Sequence, residues 1–180
     1  MTRRTIITLP DPVLRRKARP IKTFSKDLQT LIDDMIETMR EAPGVGLAAP
    51  QVGISERLIV VEYGEDTEDE NGEIIEGPKK LYVLVNPEIT WLSDETITDS
   101  EGCLSLASLA VEVPRAAKVK VEGKDLEGNQ RLLELEGIEA RILQHEIDHL
   151  SGVMIHNRTS REQRKDLMGR LRQVKLPGER

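Results

Sequence analysis

His145 and His149 stand four residues apart with Glu146 between them, in the run QHEIDHLSG. On an α-helix, residues four apart lie one turn above each other on one face, so both rings can aim a nitrogen at a common point. A divalent cation suits that point. Glu146, one position round from His145, reaches water at such a cation without binding the cation itself, which is the general-base arrangement of the H-E-x-x-H pattern. The bland alternative is one turn of an ordinary charged helix. Against it, Ile138, Ile142, Leu143, Ile147 and Leu150 mark an apolar side of GIEARILQHEIDHLSG, which sets the histidines at a buried face.

Two histidines leave a tetrahedral cation short of a third protein ligand. The residues that follow, LSGVMIHNRT, lack the continuation that supplies a third histidine in the longer zinc pattern. Cys103 in EGCLS is the candidate. A lone buried cysteine is ordinarily inert packing, but this one follows a glycine at the edge of a β region, where a strand end could turn the sulfur toward the helix. A coordinating thiolate would be deprotonated by the cation itself. Cys103, His145 and His149 are therefore read as one metal site. His156 has no such partner and is expected to be a surface or structural residue. GVGLAAPQ, taken alone, is a glycine-rich turn between helix and strand; it lacks the Lys-Ser/Thr ending of a phosphate loop.

The elements that must position these groups have clear signatures. In SKDLQTLIDDMIETMREAPG, Leu28, Leu31, Ile32, Met35, Ile36 and Met39 form one helical stripe; Ser25 caps its start and Pro43-Gly44 ends it. Met35 and Met39 read as core. From Arg57 to Leu135 the pattern turns to β, with RLIVVEY, LYVLVNPEIT, AKVKVEG and QRLLELEG separated by Gly, Asn and Asp. An acidic insertion at about 62–80 lacks the spacing of an EF-hand and is expected to be a solvated hairpin tip or flexible segment. A last helix over about 160–175 opens with a Ser160-to-Gln163 capping pattern and places Leu167, Met168 and Leu171 on one face. The expected fold is α+β: mostly antiparallel β-sheets packed around a central metal-binding helix, with an N-terminal and a C-terminal helix.

Length and composition bound the rest. The 180 residues make one domain, 1–180, with room for one sizeable core. Aromatic residues are 2% of the chain, so base-stacking platforms are excluded, and a net charge of -6 argues against a surface that coats nucleic acid. No apolar run approaches the ~20 residues of a membrane helix, and no signal-peptide segment follows MTRRTIITLP, so the expected location is cytoplasmic. One cysteine excludes an intramolecular disulfide.

Three motifs together resemble the bacterial peptide deformylase family, marked by G-x-G-L-A-A-x-Q, E-G-C-L-S and H-E-x-D-H in that order. Here they stand as GVGLAAPQ at Gly44 to Gln51, EGCLS at Glu101 to Ser105, and HEIDH at His145 to His149; LPDPVLR and VPRAAKV extend the likeness to nearly the whole chain. The resemblance implies that Cys103, His145 and His149 bind one ferrous ion, with water as a fourth ligand. Glu146 would take the water's proton and return it to the departing amine. The implied substrate is the formyl group on the N-terminal methionine of a nascent polypeptide, released as formate. The Gln51 side chain and the Leu104 backbone N–H would stabilise the oxyanion. Gly44, Val45 and Gly46 would line the peptide's path, with the Gly46 backbone pairing in strand fashion, and Ile138 and Ile142 would wall the methionine pocket. Glu101 and Arg115 match a structural salt bridge near the metal loop, and Asp148 is expected either to support the ligands from behind or to be a solvated helix acid.

This chain departs from the pattern at Ala107 and Ala110, where many members carry a proline and a peptide-contacting arginine, so its grip on the downstream peptide is expected to differ. The ligands alone would also hold Zn2+, Ni2+ or Co2+, and intrinsic affinity favours zinc over iron. From Arg158 to Arg180, eight Lys/Arg and three Asp/Glu give 8 - 3 = +5, a basic end that could face the ribosome near its exit tunnel; a monomer is expected. Two other functions compete: a general metallopeptidase, and a non-enzymatic ribosome-associated or metal-carrying relative. An intact Glu146 argues against the second.

Overall fold

The computed structural model describes residues 2–174. Helix α1 (Lys26–Glu41) starts where the cap predicts: the Ser25 hydroxyl accepts a hydrogen bond from the Leu28 N–H. Its stripe of Leu28, Leu31, Ile32, Met35 and Met39 is buried, and both methionines have no exposed surface, which makes them core as expected. Truncating either to alanine should cost about 2–5 kcal/mol of stability.

The short strand β1 (Gly46–Ala48) pairs antiparallel with β2 (Leu58–Tyr63). Next comes a small exposed ribbon of β3 (Thr67–Glu68) and β4 (Ile74–Ile75), so the acidic segment is a hairpin standing off the sheet. β5 (Lys80–Leu92) returns to pair with β2. β6 (Thr96–Gly102) and β7 (Ala110–Ala116) form a separate two-stranded ribbon, and β8 (Lys118–Lys124) and β9 (Gln130–Glu136) complete a five-stranded antiparallel sheet in the order β1-β2-β5-β8-β9. Sequence patterns did not expose the β6–β7 ribbon. β6 is almost wholly solvent-facing and carries no apolar alternation, while in β7 Pro114 and the inward Arg115 interrupt it.

β9 runs directly into helix α2 (Gly137–His149), and Gly137 makes the corner with φ +63, a conformation that a side chain would strain. α2 packs on one face of the sheet and α1 on the other. Residues alternate across a strand, so in β2 Ile59 and Val61 join Ala140, Leu143 and Ile147 of α2, while Leu58 and Val60 join α1. This double burial is why RLIVVEY reads as a continuous apolar run. Beyond α2, the short α3 (Ile155–Arg158) and α4 (Arg161–Gln173) close a third cluster with Leu9, Leu14, Leu106, Val113 and Leu167 around Cys103. The Ser160 cap on α4 is present, its hydroxyl accepting from the Gln163 N–H. The expected helix extended to about 175; the described helix ends at Gln173, and 175–180 lie outside the described residues.

One expectation needs correction. Ile138, placed on the apolar side of α2, is 52% exposed, because the first turn of the helix rises out of the sheet into a cleft. Of the two readings of His156, surface or structural, the structure places it in the interior; burial, with the Arg164 and Arg15 charges, holds its imidazolium below the usual range.

Candidate metal centre and active site

The α2 register sets His145 and His149 with ring centroids 5.0 Å apart and their Nε2 atoms at 3.2 Å. Cys103 follows the end of β6, and its Sγ lies 3.6 Å from His149 Nε2. All three ligand atoms fall within 4.8 Å of one another. Metal–nitrogen bonds of ~2.0–2.1 Å and a metal–sulfur bond of ~2.3 Å at tetrahedral angles require N···N of about 3.3 Å and N···S of about 3.6 Å. The His145–His149 and Cys103–His149 spacings match, and the third lies within 4.8 Å, so the residues fit a single cation.

Behind the rings sits a chain of buried charge. Glu101 Oε1 meets His145 Nδ1 at 2.8 Å and accepts from Arg115 at 2.9 Å; its Oε2 accepts from Arg115 at 2.9 Å and from Arg141 at 2.6 Å. Arg115 continues to Asp148 at 2.5 Å, and Asp148 accepts two hydrogen bonds from Arg158. The Glu101–Arg115 pair expected from the sequence is present, and Asp148 supports the same network. Burial opposes ionisation of Glu101, but hydrogen bonds from His145 and Arg115 outweigh it and hold the carboxyl at about 2. A carboxylate on Nδ1 fixes the imidazole tautomer that leaves Nε2 free to ligate. Burial likewise opposes the His145 imidazolium, yet its bonds to Cys103 and Glu101 raise it to about 10 while no cation takes Nε2; His149 is driven well below its usual range by burial and the His145 charge.

Glu146 is 4% exposed, and burial pushes its carboxyl up to about 7, helped by the Glu101 charge. Oε1 lies 3.8 Å from His145 Nε2, and Oε2 has no protein hydrogen-bond partner. A carboxyl poised near neutrality suits a group that takes up and returns a proton. Its place is moulded by Gly46: a Cβ there would meet Glu146 Cγ and Oε1 at 2.9 Å. Gln51 is oriented by the Ala48 N–H, which donates to Oε1 at 3.0 Å; Nε2 then faces Ser105 Oγ at 3.1 Å and the Cys103 sulfur at 3.8 Å. These groups line a cleft of about 390 Å3 with Gly44, Val45, Gly46, Leu104, Ile138 and Ile142. Every candidate metal, catalytic and peptide-path residue named from the sequence touches this one space or directly backs it.

A family model described as polypeptide deformylase matches residues 3–165. The chain belongs to the polypeptide deformylase family. Members of this family remove the formyl group from nascent peptides and depend on a metal. A Thermus thermophilus peptide deformylase is 51% identical over 158 residues, 86% of this chain and 81% of the relative. A crystal structure of peptide deformylase from Thermus thermophilus has 45% identity and a TM-score of 0.80, covering 94% of this chain and 93% of that one. Peptide deformylase from Ehrlichia chaffeensis has 33% identity and a TM-score of 0.85, with 96% of each chain covered. The α+β deformylase fold agrees with the expectation from the order of helical and β patterns.

Sequence reasoning passed over Arg141, Tyr63, Ser100, Ser105 and Ser108, which lie in or against the deformylase cleft. Arg141 carried a usable signal, since it stands one helical turn before His145 on the same face. The serines carried none. Ala107 and Ala110 are exposed, and Ala107 and Ser108 both adopt left-handed backbone, with φ 53 and 58.

Proposed function

We propose that this chain hydrolyses the N-formyl group of formylmethionyl peptides, with Glu146 as general base and acid and with Cys103, His145 and His149 holding the cation. The observation that carries the reading is the convergence of those three ligand atoms beside a buried, unpartnered carboxylate oxygen in one cleft. When bound, the cation supplies a Lewis acid that makes water nucleophilic at neutral pH and polarises the formyl oxygen. Glu146 removes the proton from the attacking water and delivers it to the amine nitrogen as the C–N bond breaks. Gln51 Nε2 and the Leu104 N–H donate to the formyl oxygen as it gains charge. The free edge of β1 offers the Gly46 backbone to an extended peptide in strand fashion, with Gly44 and Val45 along its path, and Ile138 and Ile142 receive the methionine side chain.

Fe2+ is the proposed ion, carried by the family resemblance; Zn2+, Ni2+ or Co2+ suit the same ligands. The basic α4 is proposed to face ribosomal RNA, and a cytoplasmic monomer is the proposed working form; no described helix is long and apolar enough to cross a membrane. A general metallopeptidase is not favoured, since the chain matches the deformylase model over most of its length. The test is formate release from formyl-Met-Ala-Ser by metal-loaded protein, beside Glu146→Gln. The variant should keep its metal and lose about 10²–10⁴-fold in kcat. Wild-type rates from Glu146→Gln would remove the assigned base.

A further inference from the structure

Two of the three ligands, His145 and His149, ride on one rigid helix, while the third, Cys103, rides at the end of the β6–β7 ribbon. That ribbon is a two-stranded sheet outside the five-stranded one, and two strands alone hold no fixed pose. Something must dock it on α2 to within the few tenths of an ångström that a metal site tolerates.

The docking face of α2 is legible. Arg141, Gln144, His145 and Asp148, at i, i+3, i+4 and i+7, share one side of the helix, and each bonds the ribbon. Gln144 donates to the Ala116 carbonyl and accepts from the Ala116 N–H, His145 meets Glu101, and Asp148 meets Arg115. Arg141 reaches furthest. It donates to Glu101 Oε2 at 2.6 Å and to the Val113 carbonyl at 2.8 Å, and its second terminal nitrogen donates to the Ile97 carbonyl. Ile97 and Glu101 belong to β6 and Val113 to β7, so one guanidinium spans both strands. The Arg115–Glu101 pair, in contrast, lies wholly within the ribbon.

We propose that Arg141 is a positioning residue of the metal centre: it fixes the Cys103-bearing ribbon against the helix that carries the histidines, and so sets the Sγ-to-Nε2 spacing. Because Glu101 precedes Cys103 by two residues, the same contact holds Glu101 Oε1 on His145 Nδ1. Lysine, with one point of charge, cannot bridge acceptors on two strands as the planar five-donor guanidinium does.

The inference rests on the Cys103–His145–His149 reading of the site, and its test separates the two. Co2+ is titrated into metal-free protein, anaerobically and at fixed pH, following the thiolate-to-cobalt charge-transfer absorption. Absence of that band in the wild type would remove the site reading and this inference with it. Given the band, Arg141→Met should weaken Co2+ binding by about 10–100-fold and alter the band, with the far-UV dichroism unchanged; Arg141→Lys should fall between. An Arg141→Met protein with wild-type affinity and spectrum, its melting temperature lowered equally with and without Co2+, overturns the proposal in favour of a purely structural arginine. If Arg141→Met does not fold, Arg141→Lys decides: wild-type affinity and spectrum there overturn it, and a weakened, altered site supports it.

Discussion

Gly46→Ala isolates the general base from the metal. The added Cβ would sit 2.9 Å from Glu146 Cγ and Oε1 and 3.0 Å from Cδ. Ordinary carbon contacts are ~3.5–4.0 Å, so the carboxylate must retreat by roughly 0.6–1 Å. Gly46 lies in β1 and is not among the residues with positive φ, so alanine adds no backbone strain and keeps the N–H and C=O for peptide pairing. The three atoms nearest the new methyl group all belong to Glu146 and none to Cys103, His145 or His149. A displacement near 1 Å at a reacting group costs on the order of 10²-fold, equivalent to about 2.7 kcal/mol of barrier. Formate release from formyl-Met-Ala-Ser should therefore show kcat down about 100-fold with metal content per chain unchanged. Gly169→Ala serves as the control: it lies on α4, outside the cleft, and its Cβ would meet nothing within 4 Å. Full turnover by Gly46→Ala, or a loss that tracks loss of metal, would refute the argument that this glycine exists to seat Glu146.

Gln51→Ala should lower kcat by about 10²–10³-fold with little change in KM, since an oxyanion donor acts in the transition state; a rise in KM alone would contradict the role. Without a cation, His145 holds its proton up to about pH 10, and a cation must displace it. Log Kd should therefore fall by about one unit per pH unit for each displaced proton between pH 6.5 and 8; a pH-independent Kd, measured by titration calorimetry in two buffers, would count against ligation by His145. Glu101 is depressed from 4.5 to about 2. A depressed carboxyl stabilises the fold above its unfolded pKa, and that contribution, on the order of 3 kcal/mol, is lost as pH falls from 4.5 towards 2. Glu101→Gln should flatten the urea-unfolding stability curve across that window, and an unaltered acid limb would dismiss the assignment.

The Cys103–His145–His149 cluster was legible because its constraints are local or chemical. Helical period alone puts His145 over His149, and the only cysteine stood out as the candidate for a third ligand. The apolar stripe of α1 and the runs of β2, β5 and β8 announced themselves through burial. What remained hidden is held by polar contacts between segments far apart in the chain. The β6–β7 ribbon buries little through its first strand; beside Val111 and Val113 of β7 in the third cluster, it meets α2 through Arg141, Gln144 and Asp148, whose partners lie 28 to 44 residues away. Ion pairs and backbone carbonyls leave no periodicity behind them, whereas a buried leucine does. The same reasoning explains Gly46. Its motif looks like a turn in isolation, and only the three-dimensional approach of Glu146, 100 residues later in the chain, reveals that a side chain there would occupy the base's own space.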